Sequence, residues 1–125
     1  MLIDMASFNE QINLLSRLIS AAEMRQQVIG HNIANVNTPN FRRLDVNFEQ
    51  ALAAEMARGA SVGELASKAM PTVSRTPGLI TRADGNNVDI DQEIGQMNKN
   101  ALLQQVYLQM VGAEMGMMRR AIDGR

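Results

Sequence analysis

Two stretches of this chain repeat apolar residues in alternating steps of four and three. In the first, Met1, Met5, Phe8, Ile12, Leu15, Ile19 and Ala22 lead to a polar break at Gln26, after which Ile29, Ile33 and Val36 resume the row. Such spacing keeps one face of an α-helix apolar and predicts a helix from about Ile3 to Val36. A second row through Leu14, Leu18, Ala21 and Val28 widens that face beyond the narrow stripe of a two-stranded coiled coil. In the second stretch Ile90, Ile94, Met97, Ala101, Gln104, Leu108, Val111, Met115, Met118 and Ile122 keep the alternation, with Leu103, Tyr107, Met110 and Met117 adding apolar surface beside it. Asp89 or Asp91 can cap the start of this helix, and Asp89 and Gln92 stand at capping-box spacing. Asp89, Asp91 and Glu93 at its start and Arg119 and Arg120 at its end complement the helix dipole. At about 1.5 Å per residue each helix spans roughly 45 to 50 Å.

Between them the pattern weakens. Leu44, Val46 and Phe48 alternate with Asp45, Asn47 and Glu49, which predicts a short extended segment, and Ala51, Leu52 and Met56 predict a short helix from about Phe48 to Arg58. After Gly59, small residues, Pro71, Thr76-Pro77-Gly78 and Asp84-Gly85-Asn86-Asn87 predict a loop or irregular β excursion. Arg42, Arg43, Arg75 and Arg82 give this region a mild basic tint and are expected to be solvated. The expected fold is mainly α: long N- and C-terminal helices paired antiparallel in a coiled-coil-like arrangement, with a short irregular middle segment. The chain divides into residues 1–39, an N-terminal helix with its turn, 40–87, a variable middle, and 88–125, a C-terminal helix.

The first helix stops in a run of side-chain amides, His31-Asn32-Ile33-Ala34-Asn35-Val36-Asn37-Thr38-Pro39-Asn40-Phe41. Pro39 has no amide hydrogen and pushes Thr38 out of the α region, so the helix must end by about Asn37. Asn35, Asn37 and Thr38 can then bond the groups freed at the terminus. Within this run Asn32, Ile33, Ala34, Asn35, Asn37, Thr38, Pro39 and Phe41 closely resemble the N-terminal signature of bacterial flagellar rod, hook and hook-associated axial proteins. That signature reads Asn-Ile-Ala-Asn, two variable positions, then Thr-Pro-Gly-Tyr. Asn40 stands where the family usually has Gly, and Phe41 where it usually has Tyr. Asn tolerates the left-handed conformation best among non-glycine residues, so the turn should survive, and Phe keeps the ring without its hydroxyl. The run from Asp84 to Ile94 is similar to the entry to the last helix of the family's short rod members, and 125 residues leave no room for the large inserted domains of hook and distal-rod members.

The resemblance implies a structural subunit of the flagellar basal-body rod, nearest to one short proximal-rod protein, with a neighbouring short rod protein as the alternative. It implies helical assembly with copies of itself and other rod proteins, contacts with the membrane-embedded MS ring and the small rod adaptor FliE, and passage through the flagellar type III export apparatus without a cleaved signal. Its location would be the periplasmic rod, with no direct membrane insertion.

Composition points away from chemistry. Twelve basic and thirteen acidic residues give a net charge of −1, with no block suited to nucleic acid or an anionic membrane. The absence of Cys excludes disulfides and thiolate nucleophiles, and the single His31 would leave a metal site resting on carboxylates alone. No charged segment precedes an unbroken apolar run at the start, and no window approaches the roughly 18 apolar residues of a membrane span. Neither catalysis nor a cofactor is expected. A cytosolic coiled-coil adaptor would account for the helices but not for the Asn-Thr-Pro run. The apolar rows exceed what one helix partner can cover, so Phe8, Ile12, Leu15, Ile19 and Ile29 of the first helix are expected to pack between subunits. Ile94, Met97, Leu108, Val111, Met115, Met118 and Ile122 of the last are expected to do the same. Five of the ten Met residues lie in the last helix, where flexible thioether chains fill gaps against non-identical neighbours.

Overall fold

A computed structural model describes residues 5–124. The chain is mainly α, with helix α1 at Met5–Ala34, strand β1 at Leu44–Asn47, helices α2 at Glu49–Ala57 and α3 at Val62–Lys68, strand β2 at Thr72–Arg75, and helix α4 at Ile90–Asp123. The expected helix start near Ile3, and Met1 of its apolar row, lie outside the described residues. Helix α4 begins where its sequence signals place it: Asp89 is the N-cap, and its carboxylate accepts from the backbone N–H of Asp91 and Gln92. It ends on Gly124 in the left-handed conformation at φ 70°, a glycine stop of the usual kind.

Helices α1 and α4 lie antiparallel. Glu93 meets Asn32, Asn100 meets Ala22 and Gln26, and Gln11, with its amide nitrogen turned to the carboxylate, donates to Glu114 at 2.9 Å. Position numbers rise along one helix as they fall along the other. The buried and half-buried residues of α4 are Glu93, Met97, Asn100, Gln104, Tyr107, Val111, Glu114 and Met118, joined by Leu103 and Gly116. The first eight follow the four-three alternation without a break.

This inward face differs from the one the apolar pattern predicts. Met97, Gln104, Val111 and Met118 belong to both. At the alternate positions Glu93 replaces Ile94, Asn100 replaces Ala101, Tyr107 replaces Leu108 and Glu114 replaces Met115, a rotation of one residue. The reason is polar pairing. Glu93, Asn100 and Glu114 each find partners on or beside α1, Asn100 through its Nδ2 alone, and these are hydrogen bonds that a hydrophobicity pattern does not register. Ile94, Leu108, Met115 and Ile122 are left exposed as a row of heptad spacing.

The middle segment covers another side of α1. Phe48, buried at the start of α2, packs with Ala21 and Ala69, and Leu18 and Leu52 close around them. Arg17 donates from Nε to the Ala66 carbonyl of α3 at 3.0 Å, and Arg25 pairs with Glu49 at 2.7 Å. Strands β1 and β2 form an antiparallel pair running from Leu44 opposite Arg75 to Asn47 opposite Thr72. β1 and α2 fall where the alternation and the Ala-Leu-Met spacing place them. α3 lies where a loop or β excursion was expected: Ser61 caps it by accepting from Glu64 N–H at 3.3 Å, and Glu64 pairs with Lys68 one turn on at 3.2 Å.

Candidate functional site

The chain reverses between α1 and β1 through a turn that its own side chains only partly hold. Helix α1 ends at Ala34, three residues before the limit that Pro39 imposes. Asn35 donates from Nδ2 to the His31 carbonyl at 2.8 Å, and Thr38 Oγ1 donates to Asn35 Oδ1 at 3.1 Å, so the expected local capping by Asn35 and Thr38 is present. The stronger support comes from fifty residues away. Asn86, fully buried, donates from Nδ2 to the carbonyls of Asn35 at 2.8 Å and Thr38 at 2.9 Å, while its Oδ1 accepts from Val88 N–H at 2.8 Å. Arg82 reaches the Val36 carbonyl. One asparagine thus ties the stop of α1 to the approach to α4, and Pro39 is not the sole cause of that stop. Replacing Asn86 by Ala strands the buried Val88 N–H and takes one of two bonds from each of the Asn35 and Thr38 carbonyls, which keep those from Thr38 N–H and Phe41 N–H, and is expected to cost about 2 kcal/mol, against less than about 1 kcal/mol for Pro39→Ala. Urea unfolding of the two purified variants measures the difference.

Asn40, at φ 62°, is the only described non-glycine residue in the left-handed region, as its place in the family signature leads one to expect. Its N–H donates to the Asp84 carbonyl at 2.8 Å, and it packs on Gly85, itself at φ 84°. A Cβ at Gly85 would run into the Asn40 side chain, so the two chain reversals fit together only with glycine there. The Asp84 carboxylate, held below its ordinary range first by the Asn86 N–H and then by Arg82, steadies the same loop. Phe41 meets His31 edge to face with ring centroids 5.5 Å apart, which uses the ring alone.

Beneath the turn lies a buried polar cluster. Glu93 is 0% exposed and Arg43 6%. Arg43 donates from Nε to Glu93 Oε1 at 2.5 Å and from NH2 to Oε2 at 3.4 Å, and Asn32 Nδ2 donates to Oε2 at 3.3 Å. Asn32 also spans β1, donating to the Leu44 carbonyl at 2.8 Å and accepting from Leu44 N–H at 2.9 Å. Asn87 Oδ1 accepts from Arg43 N–H at 2.6 Å. Burial pulls the Arg43 pKa down, but the hydrogen bond and charge of Glu93 outweigh it and leave the guanidinium raised. One expectation is corrected here: Arg43 is not a solvated charge. Glu93 lies in the first turn of α4 as expected, and is buried there against Arg43. Asn32 of the motif is joined by Arg43, Asn86, Asn87 and Glu93, none of which the motif itself singles out. Arrival of all five at one end follows from the antiparallel pairing, which brings residues 84–94 beside 32–43.

Of the other motif residues, Ile33 and Asn35 are half-buried, and Ala34, Asn37, Thr38 and Pro39 are exposed. Among the positions expected to pack between subunits, Leu15, Ile29 and Met118 are buried within the chain. Phe8, Ile12, Ile19, Met97 and Val111 are half-buried, and Ile94, Leu108, Met115 and Ile122 are exposed. On the opposite flank of α4, Leu102, Val106, Met110 and Met117 are exposed as well. No described helix is long and apolar enough to cross a membrane, and no group of three or more His, Cys, Asp or Glu among the described residues could hold a metal ion.

The sequence pattern of the family described as Flagella basal body rod protein matches residues 14–42, which hold most of α1 and the motif through Phe41. Similarity to curated proteins extends much further. Flagellar basal body rod protein FlgB of Aeromonas hydrophila is 30% identical over 127 residues, covering 94% of this chain and 96% of the relative. FlgB of Borrelia hermsii is 33% identical over 116 residues, covering 80% and 86%. FlgB of Bacillus subtilis is 25% identical over 127 residues, covering 96% and 98%.

Proposed function

Because this chain belongs to the FlgB family of flagellar basal body rod proteins, and is therefore a structural subunit of that rod, we propose that it builds the proximal rod, the part next to the membrane-embedded ring. The near full-length similarity to FlgB proteins favours this assignment over the alternative, the neighbouring short rod protein FlgC. The α1–α4 pair acts as a stave in a helically arranged tubular wall that carries motor torque. The supporting observation is α4 itself: apolar residues stand exposed on both flanks of the face that meets α1, along nearly the whole helix. Contiguous apolar surface of that extent fits burial against neighbouring helices. The motif turn, fixed by Asn86 and the Arg43–Glu93 pair, sets where the middle segment leaves the wall.

On this reading the neighbours are copies of this chain, other rod proteins, FliE and the MS-ring protein. The chain reaches the periplasmic rod through the flagellar export apparatus without a cleaved signal, and its role is assembly, without catalysis or a cofactor. Deleting the gene is expected to abolish rods and swimming, with the wild-type chain restoring both. Electron microscopy of purified basal bodies reads the outcome, and intact rods in the deletion strain would contradict the assignment.

A further inference from the structure

The loop from residue 76 to 82 leaves β2 and returns to the motif turn with both ends fastened. Thr76 N–H donates to the Arg43 carbonyl at 3.3 Å, and its Oγ1 accepts from Arg43 NH1 at 2.8 Å. Thr81 Oγ1 accepts from Arg42 NH1 at 2.8 Å, and Arg82 N–H donates to the Asn86 carbonyl at 2.9 Å. At the tip Ile80 is 95% exposed, more than any other large apolar residue described. An anchored loop that holds an isoleucine in water gains nothing from it within the subunit. Two of the three arginines bordering the loop are without an acidic partner too. Arg42 and Arg75 have no carboxylate within ion-pair distance among the described residues, and Arg82 has only Asp84, at 3.6 Å.

The opposite character occurs at the head of α4. Ile90 and Ile94, one turn apart, are both exposed, and Asp91 lies three residues before Ile94 on the same side. Asp89 and Asp91 have no cation within ion-pair distance among the described residues. An isoleucine in a loop bordered by Arg42 and Arg75, which lack an acidic partner, and a pair of isoleucines beside Asp89 and Asp91, which lack a cation, are complementary in both apolar and charged character.

We propose that the loop at 76–82 of one copy docks on the first turns of α4 in the next copy, with Ile80 seated against Ile90 and Ile94 and the arginines facing Asp89 and Asp91. This rests on the rod-subunit reading and names what covers the head of the exposed α4 row. The two patches differ, so the contact is heterologous: each copy offers a loop to one neighbour and a helix to another, and the series continues around a wall instead of closing on a pair. Both patches sit at the end of the molecule where α1 stops and α4 starts, so the joined copies stand side by side.

The chain has no cysteine, which makes the test direct. Cells lacking the native gene express Ile80→Cys and Ile94→Cys chains, together or singly, and their purified basal bodies are oxidised. Disulfide-linked dimers are expected only where both chains are present. Arg75→Glu in the Ile80→Cys chain should lower their yield about fivefold, as for loss of one exposed ion pair. Asp91→Arg in the Ile94→Cys chain should then restore it. Purified full-length chains mixed at high concentration serve as a second readout with the same expected outcomes should either cysteine block incorporation. Rods that contain both variants without a dimer would overturn the docking and leave the rod assignment intact. A dimer formed by Ile80→Cys alone would also overturn it, since like tips would then meet. Absence of the wild-type chain from basal bodies would remove the rod assignment and the docking with it.

Discussion

Replacing Glu93 by Ala is expected to lower the free energy of unfolding by about 3–5 kcal/mol, a large part of the roughly 5–15 kcal/mol typical of a folded chain. Glu93 is fully buried and receives two bonds from Arg43 and one from Asn32. Removing the carboxylate strands a buried guanidinium whose remaining acidic neighbour, Asp45, is 3.6 Å away and half in water. It also removes the bond from α4 to the Asn32 amide, which keeps its two bonds to Leu44 of β1, so the loss falls on the joint between α4 and the pair formed by α1 and the middle segment. With a urea dependence of about 1–3 kcal/mol per molar, the unfolding midpoint should fall by roughly 2 M. The double replacement Arg43→Met with Glu93→Met should recover most of that loss, because it removes both desolvated charges and fills the space with flexible apolar chains. Urea titrations of the three purified chains followed by circular dichroism check this. A single-variant shift below about 0.5 M would mean the pair is not a structural joint.

Much of the architecture was readable from the chain. The four-three rows gave two long helices, Asp89 gave the start of α4, and the Leu44-Val46-Phe48 alternation gave β1. The Asn-Thr-Pro run gave both the turn and the family. What escaped the sequence was which alternate positions of α4 face inward. Ile94 and Glu93 are equally compatible with the repeat, and only the partners of Glu93, which come from residues 32 and 43, decide between them. For the same reason the role of Asn86 was hidden, since its bonds reach 48 and 51 residues back and no local pattern encodes them. α3 was legible in principle: Ser61-Val62-Gly63-Glu64 is a capping-box spacing, but small residues around it mask the short apolar contribution of Leu65 and Ala66. β2 falls within the stretch read as a loop or irregular β excursion, but its pairing with β1 could not be read, because it depends on a connection through two helices.

The row of apolar residues that α1 leaves uncovered carries the second large effect. Leu108 is 59% exposed at the middle of α4, and the positions one turn to either side are Gln104, Gln105, Val111 and Gly112, which offer no cation. In the separate chain, Leu108→Asp adds a charge to a solvated surface and should change stability by no more than about 0.5 kcal/mol. In a wall where this row is covered by neighbouring helices, the same carboxylate is buried without a partner, at a cost of several kcal/mol that recurs in every subunit. The variant should therefore be made, fold and be exported as the wild type is, while cells carrying it assemble no rods and do not swim. Counting rods in purified basal bodies of the Leu108→Asp strain, alongside urea unfolding of the same chain, decides whether this row is an assembly surface: an unchanged unfolding midpoint with rods absent is the predicted result, and rods in wild-type numbers would contradict it.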